Sequence, residues 1–431
     1  MTSALLFGSF GLLLLIGVPV GIALAAASMV AILSLPFLNI EFLVQGMVTG
    51  LDSFPLLAVV LFTLAGNLMS QGGISKRLLH VAEVFFGHFT GGLGIVAIVA
   101  CMFFASISGT GSATVAAIGL TMIPSMVKKG YDRSFAGALI ASSGGIGVII
   151  PPSVVMIVYA ITAEVSVTKM FMAGIIPGLV VGMVLIGYCL IVSKMRGYTG
   201  NEHRATWAER LDALKEASWA MLLPVIILGG IYSGIFTPTE SAAIGVLYGL
   251  FFGMFVYKEL KPAQVVKIIL ESSVLVGAVL VIVGASVTFG RILTLERLPT
   301  EIAQFILSIT ENKLLILLCI NVLLLLVGTF METLAAIVIL TPILLPITSA
   351  LGMDPVHFGI VMIVNLAIGF VTPPLGANLF MASQVGKVPI ESLSKAIMGW
   401  IGAMIVALML ITFIPAISLS LPALLSWSLH S

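Results

Sequence analysis

A chain of 431 residues that is 60% hydrophobic and only 9% charged, with a mean hydropathy of +1.24, cannot be a soluble globular protein, in which about 25% of residues are charged. It reads as a polytopic, all-α membrane protein. The formal net charge of +1 points to neither nucleic acid nor an acidic partner, so the few charges matter by their positions.

The N-terminal stretch MTSALLFGSFGLLLLIGVPVG lacks a basic start and continues into apolar sequence, which predicts a retained first span over 3–35 and not a signal peptide. Further uncharged or nearly uncharged runs predict spans at 54–70, 134–160, 171–192, 219–235, 238–257, 271–291, 357–383 and 393–419, each near the ~20 residues a crossing needs. Leu93–Val127 and Leu314–Ile347 are longer, about 35 residues each, and are interrupted by small and polar residues at Ser106–Thr114 and Gly328–Thr333. They predict two re-entrant hairpins with those interruptions as tips. Ile74–Phe89 and Leu298–Ile309 mix charge with Leu, Val, Ile and Phe and predict helices lying along the membrane surface. Lys194–Glu216 is the one sizeable polar loop and predicts a connector with a helix from Thr206.

Two spans contain stretches that no continuous helix can hold. Ser142–Ser153 (SSGGIGVIIPPS) and Gly369–Asn378 (GFVTPPLGAN) each set glycines beside a Pro-Pro pair, and proline removes a backbone donor and clashes with the preceding turn. Backbone groups left open at mid-membrane survive only around a polar cavity. Pro151 and Pro373 stand 222 residues apart, and the same offset pairs Pro152 with Pro374, Pro124 with Pro346, Asp132 with Asp354, Gly137 with Gly359 and Gly147 with Gly369. Three coincident prolines exceed the roughly 0.2 expected by chance in such a window. The chain therefore divides into a first repeat at 1–192, a connector with an inverting span at 193–237, and a second repeat at 238–431. Lys128, Lys129 and Arg133 follow hairpin one, whereas no Lys or Arg falls between Lys313 and Lys387. Loop one is then cytoplasmic and loop two outside, with the N-terminus inside and the C-terminus outside; Arg291 and Arg297 are the exceptions.

A helix that stops in mid-membrane offers its last carbonyls to cations, and the next half-helix offers free amides to anions. Around the first break, the carbonyls near Ser143, Gly145 and Gly147 and the tip residues Ser106, Ser108, Gly109 and Thr110 provide the oxygen ligands a hard cation such as Na⁺ takes. The second set is Gly328, Thr329 and Glu332 on the tip with Gly369 and Thr372 on the break. Half-helices beginning at Pro151 and Pro373 would aim amides at an anionic substrate, with Thr114, Pro152, Ser153, Pro374 and Asn378 completing that contact set.

Structural readings stand beside these. Single hydroxyls at the tips also suit helix packing, Thr329-x-x-Glu332 fits a capping box, and Thr237-Pro238-Thr239-Glu240 fits one better. Cys101, Cys189 and Cys319 lie in apolar runs and read as packed thiols. His80, His88, His203, His357 and His430 show no metal-ligand spacing and sit at span ends or in loops. Gly109-Thr110-Gly111 lacks the Lys and the preceding strand of a phosphate loop. No nucleophile and base pair inside a span, so an intramembrane hydrolase is disfavoured and no cofactor is expected beyond a coupling ion.

SISGTGSATVAAIG, GGIGVIIPPS, GTFMETLAAIVILTPILLP and GFVTPPLGANLF resemble the large membrane subunit of the TRAP (tripartite ATP-independent periplasmic) transporters, and the likeness covers the whole chain. The resemblance implies an inverted-repeat elevator fold in a bacterial inner membrane. It implies Na⁺-driven uptake of an organic acid, a C4-dicarboxylate or sialic acid, with the lean toward sialic acid. It also implies two partners, a separate small membrane subunit and a periplasmic substrate-binding protein, and it places two Na⁺ sites on the two tip-and-break sets above with substrate between them. The alternative is a carboxylate symporter or exchanger that needs no binding protein.

Overall fold

The computed structural model describes residues 2–428 except 202, 203, 311 and 375, and among these it is all helical, with 21 α-helices and no strand. The expected first span at 3–35 is instead two 14-residue helices, α1 (Thr2–Leu15) and α2 (Val20–Leu33). Gly17 adopts φ +82° between them and Pro19 stands at the start of α2. Glycine permits the left-handed turn and proline supplies no N–H, yet neither lowers hydropathy enough to mark the reversal. α3 (Ile40–Leu51), a helix the hydropathy reading passed over, is capped by the Asn39 side chain, which accepts from the Phe42 N–H at 3.3 Å. α4 (Phe54–Gln71) follows with Pro55 in its first turn.

Next come α5 (Ile74–Phe86), the hairpin α6 (Gly92–Ser108) and α7 (Gly111–Lys128), the broken pair α8 (Arg133–Gly144) and α9 (Val154–Thr162), and α10 (Val167–Arg196). The connector holds α11 (Trp207–Glu216), closed at its N-terminus by a Thr206/Glu209 capping box. The second half contains α12 (Ser218–Tyr232), α13 (Pro238–Phe251), α14 (Pro262–Leu295), α15 (Leu298–Ile309), hairpin α16 (Lys313–Phe330) and α17 (Thr333–Ala350), broken pair α18 (Pro355–Gly369) and α19 (Ala377–Gly386), α20 (Ile390–Phe413) and α21 (Ala416–Ser428). Glu240 forms the expected capping box with Thr237, so its role is structural.

The offset of the prolines extends to the helices. α7 and α17 begin and end 222 residues apart, and α5, α6, α8 and α9 recur as α15, α16, α18 and α19 with ends shifted by three residues or fewer. The single 34-residue α14 stands where the first half has α3 and α4. Asp52, Ser53 and Pro55 interrupt the first copy, whereas the matching Val274, Leu275 and Gly277 let the helix run through. The halves exchange contacts: α2 lies along α14 and α13 along α4, while α9 packs on α17 and α19 on α7.

The amphipathic α5 buries Ile74, Leu78, Leu79 and Val81 and is tied at its start to the loop between α13 and α14. Lys76 Nζ lies 3.0 Å from Glu259 Oε2 and Arg77 Nη1 3.1 Å from Glu259 Oε1, with the Arg77 guanidinium 3.7 Å above the Tyr257 ring. Gly73, at φ +82°, leaves room for the carboxylate. Arg291 donates to Thr49 Oγ1 at 2.9 Å and joins α14 to α3.

Among the histidines, His357 stands in the first turn of α18, at a span end, and is buried, with Nε2 3.3 Å from the Thr412 carbonyl. His203 and His430 lie outside the described residues. The three cysteines are free, Cys101 and Cys189 buried and Cys319 exposed.

Partial burial opposes ionisation of Glu259, but the hydrogen bonds and charges of Lys76 and Arg77 outweigh it and hold the carboxyl below its ordinary value of 4.5. The contribution of this clasp is complete above the ordinary value and disappears as pH falls through the lowered one. Glu259→Gln is expected to cost about 1 kcal/mol near neutral pH and to lower the unfolding midpoint by roughly 1–3 °C. Thermal unfolding in detergent across an acid titration checks this, and the two proteins should converge below the lowered value.

Candidate ion and substrate site

Both hairpin tips turn where the sequence places small or polar residues. Gly109 adopts φ +63° after α6, and the turn is seated on the first break, since a Cβ on Gly109 would lie 2.8 Å from the Pro152 carbonyl. Ser108 Oγ lies 3.0 Å from Thr114 Oγ1 and 3.3 Å from the Thr110 carbonyl, and Thr114 donates to that carbonyl at 2.8 Å. Gly147, in the 3-10 turn Gly145–Val148 that follows α8, presses against the same atoms. A Cβ there would lie 2.6 Å from the Thr110 carbonyl and 2.7 Å from Thr114 Oγ1. The structure thus brings Ser108, Gly109, Thr110, Thr114 and Gly147 together. Ser106 and Ser143 donate to carbonyls of their own helices, those of Phe103 and Leu139, both at 2.7 Å. Gly145 faces away, toward the Ala367 carbonyl at 3.3 Å from its would-be Cβ.

At the second site α16 crosses the break backbone to backbone, with a would-be Cβ of Gly328 3.1 Å from Gly369 Cα. Thr329 does not start a capping box. It lies inside α16 and donates to the Leu326 carbonyl at 2.7 Å, while Glu332 itself caps α17 and accepts from the Ala335 N–H at 3.4 Å. Thr372 donates to the Ile368 carbonyl at 2.7 Å.

The half-helices begin later than the prolines suggested. Pro151-Pro152 and Pro373-Pro374 are cis bonds in the linkers, and α9 starts at Val154 and α19 at Ala377. Ser153 caps α9, donating to the Val148 carbonyl at 2.8 Å and accepting from the Met156 N–H at 3.4 Å.

A cavity of about 290 Å³ lies between the two tips. It is lined by Ser108, Thr110 and Ser112 from tip one, Glu332 from tip two, Phe370 from the second break, and Thr63 and Asn67 from α4. None of Thr114, Pro151, Pro152, Ser153, Pro373, Pro374 and Asn378 lines this cavity. Thr63, Asn67 and Ser112 escaped the sequence reading. Asn67, which donates to Ser272 Oγ at 2.8 Å, carried a usable signal: an amide inside an apolar span. A second missed feature is a buried chain in which Asn365 donates to Asn321 Oδ1 at 2.7 Å and Asn321 to Thr412 Oγ1 at 3.3 Å, joining α18, α16 and α20.

The close backbone contacts make the glycines testable. Gly147→Ala should cost about 1–3 kcal/mol through overlap with tip one, and Gly369→Ala should do the same through overlap with Gly328. Each is expected to cut transport more than tenfold, while Gly402→Ala, with nothing within 4 Å, should leave it unchanged. Uptake and thermal unfolding of the three variants, measured side by side, decide this.

Residues 7–417 match the family described as "Tripartite ATP-independent periplasmic transporter, DctM component". The chain is 49% identical over 96% of its length to an isethionate TRAP transporter permease, DctMQ, of Oleidesulfovibrio alaskensis, and spans 65% of that protein. It is 42% identical to the C4-dicarboxylate TRAP large permease DctM of Pseudomonas aeruginosa, covering 88% of each chain. It is 40% identical to the sialic acid TRAP large permease SiaM of Vibrio cholerae, covering 97% of this chain and 98% of that one. The YdaH transporter of Alcanivorax borkumensis shares the fold, with a TM-score of 0.64 over 86% of this chain and 88% of the other at 15% identity. Fold, helix breaks and relatives agree: the chain belongs to the DctM family of TRAP transporter large permeases and is a membrane transporter, not an enzyme.

Proposed function

We propose that this chain is the large permease of a Na⁺-coupled importer for a small organic anion in a bacterial inner membrane. It would work with a small membrane subunit and a periplasmic binding protein. The observation that carries the reading is the central cavity, to which both tips and one arm helix contribute polar side chains. Two tip-and-break sets flank it, and each offers carbonyl and hydroxyl oxygens, the ligands that suit Na⁺. The uncapped N-terminus of α7 fronts the cavity and favours an anion, whereas Glu332 already satisfies α17. At about 290 Å³ the cavity lies at the lower edge of the ~300–1,000 Å³ that hold drug-sized ligands. A volume of this order accommodates each of the three anions that the relatives' names give, a two-carbon sulfonate, a C4-dicarboxylate and sialic acid.

The hairpins and broken helices form the moving body in this proposal, and α4 and α14 are the wall along which it slides. With α1 and α2 as two crossings, each half crosses five times, an odd number that inverts the second half on its own, and α12 becomes the counterpart of α1. The N-terminus then lies outside, opposite to the side that a single span over 3–35 implied. Thr63 and Asn67 lie in the half of α4 that leads to Lys76 and Arg77, so the cavity would face the cytoplasm in this state. Loading of Na⁺ would order the tips and raise anion affinity, which couples the two fluxes by differential binding.

Uptake of radiolabelled isethionate, succinate and sialic acid into proteoliposomes, with an imposed Na⁺ gradient and with or without both partners, tests the proposal. Na⁺-dependent uptake of one of the three anions only with both partners is the expected result. Glu332→Gln and Ser108→Ala should each lower it at least tenfold. Uptake by this chain alone would favour the self-sufficient symporter, and uptake driven by protons without Na⁺ would overturn the ion assignment.

A further inference from the structure

Asn378 is fully buried, and neither its Oδ1 nor its Nδ2 has a hydrogen-bond partner. An amide left open in the interior of a membrane protein is costly, so its surroundings call for explanation. Asn378 stands in the first turn of α19, which belongs to the second half, yet α19 packs on α7 and α8 of the first. A Cβ on Gly111 would meet Asn378 Nδ2 at 3.0 Å, Asn378 Oδ1 at 3.1 Å and the Gly144 carbonyl at 3.1 Å. The amide, the first residue of α7 and the last residue of α8 therefore converge on one point.

Their chemistry is complementary. The first N–H groups of α7 are donors that the Thr110 side chain does not cap, and Gly144 presents an acceptor at the end of α8. A primary amide is the side chain that offers an acceptor to one and donors to the other. The position matching Asn378 in the first half is Met156, whose thioether packs on Gly174, so the arrangement exists on one side only.

We propose that Asn378 is a positioning residue for the first ion site and acts across the two halves. When a cation draws tip one onto the break after α8, Oδ1 accepts from an N–H of the first turn of α7 and Nδ2 donates to the Gly144 carbonyl. Occupancy of the first site is thereby passed to α19. Asn378 touches neither ion nor substrate in this role. The inference rests on the Na⁺ reading proposed above.

The test uses the full chain in nanodiscs, with NaCl titrated against KCl at constant ionic strength and thermal unfolding as the readout, followed by uptake with both partners. Asn378→Leu keeps the branched shape, in a slightly larger side chain, and removes the polar atoms. The Na⁺ concentration for half-maximal stabilisation should rise about tenfold, the loss of one to two net hydrogen bonds, while KM for substrate at saturating Na⁺ stays within twofold. An unchanged Na⁺ half-point in Asn378→Leu overturns the inference, and a raised KM with an unchanged half-point makes Asn378 a direct substrate contact instead. Asn378→Ser, read in the same way, replaces the leucine variant if that one does not fold. A wild-type protein that responds equally to Na⁺ and K⁺ removes the ion reading itself, whereas a selective wild-type response with an unaltered variant removes this inference alone.

Discussion

Every backbone N–H and carbonyl inside a bilayer must find a partner within the protein, and an unpartnered one costs about 2–7 kcal/mol. The two broken helices set that demand at the heart of this molecule. α8 stops at Gly144 and α18 at Gly369, and the linkers that follow hold cis Pro-Pro pairs that supply no amide hydrogens. The hairpin tips exist to enclose these ends. Gly109 seats tip one on the Pro152 carbonyl, Gly147 meets Thr110 and Thr114, and Gly328 meets Gly369. Glycine at these contacts is a requirement of approach, because a methyl group would collide with backbone or hydroxyl oxygen.

The same demand explains the exchange of elements between halves. A half-helix such as α19 is only ten residues long and cannot bury its own ends. It borrows α7 and α8 from the other half, as α9 borrows α17 and α18. Each opening is thus shared by both copies. The copies are alike in backbone and unlike in charge. Glu332 fills the N-terminus of α17, while the corresponding end of α7 stays open toward the cavity.

Outside this centre the molecule is fastened by conventional means. The clasp of Lys76, Arg77 and Glu259 holds α5 against the loop before α14, and Asn321, Asn365 and Thr412 cross-tie α16, α18 and α20 where hydrophobic packing alone has no directional preference. Asn67 and Ser272 do the same for α4 and α14.

Composition, the length of apolar runs and the proline offset were enough to read the membrane class, both helical hairpins, both breaks, the existence of the helices α5 and α15 and the capping role of Glu240. These are local properties: hydropathy, missing amide hydrogens and capping chemistry act over a few residues. The turn at Gly17 was not legible, because a reversal built from glycine and proline leaves hydropathy high. The wall provided by Thr63 and Asn67 and the approach of Asn378 to Gly111 and Gly144 were decided only by the tertiary structure. Each depends on which helix of one half packs against the other, and that choice is made by long-range contacts that spacing along the chain does not encode.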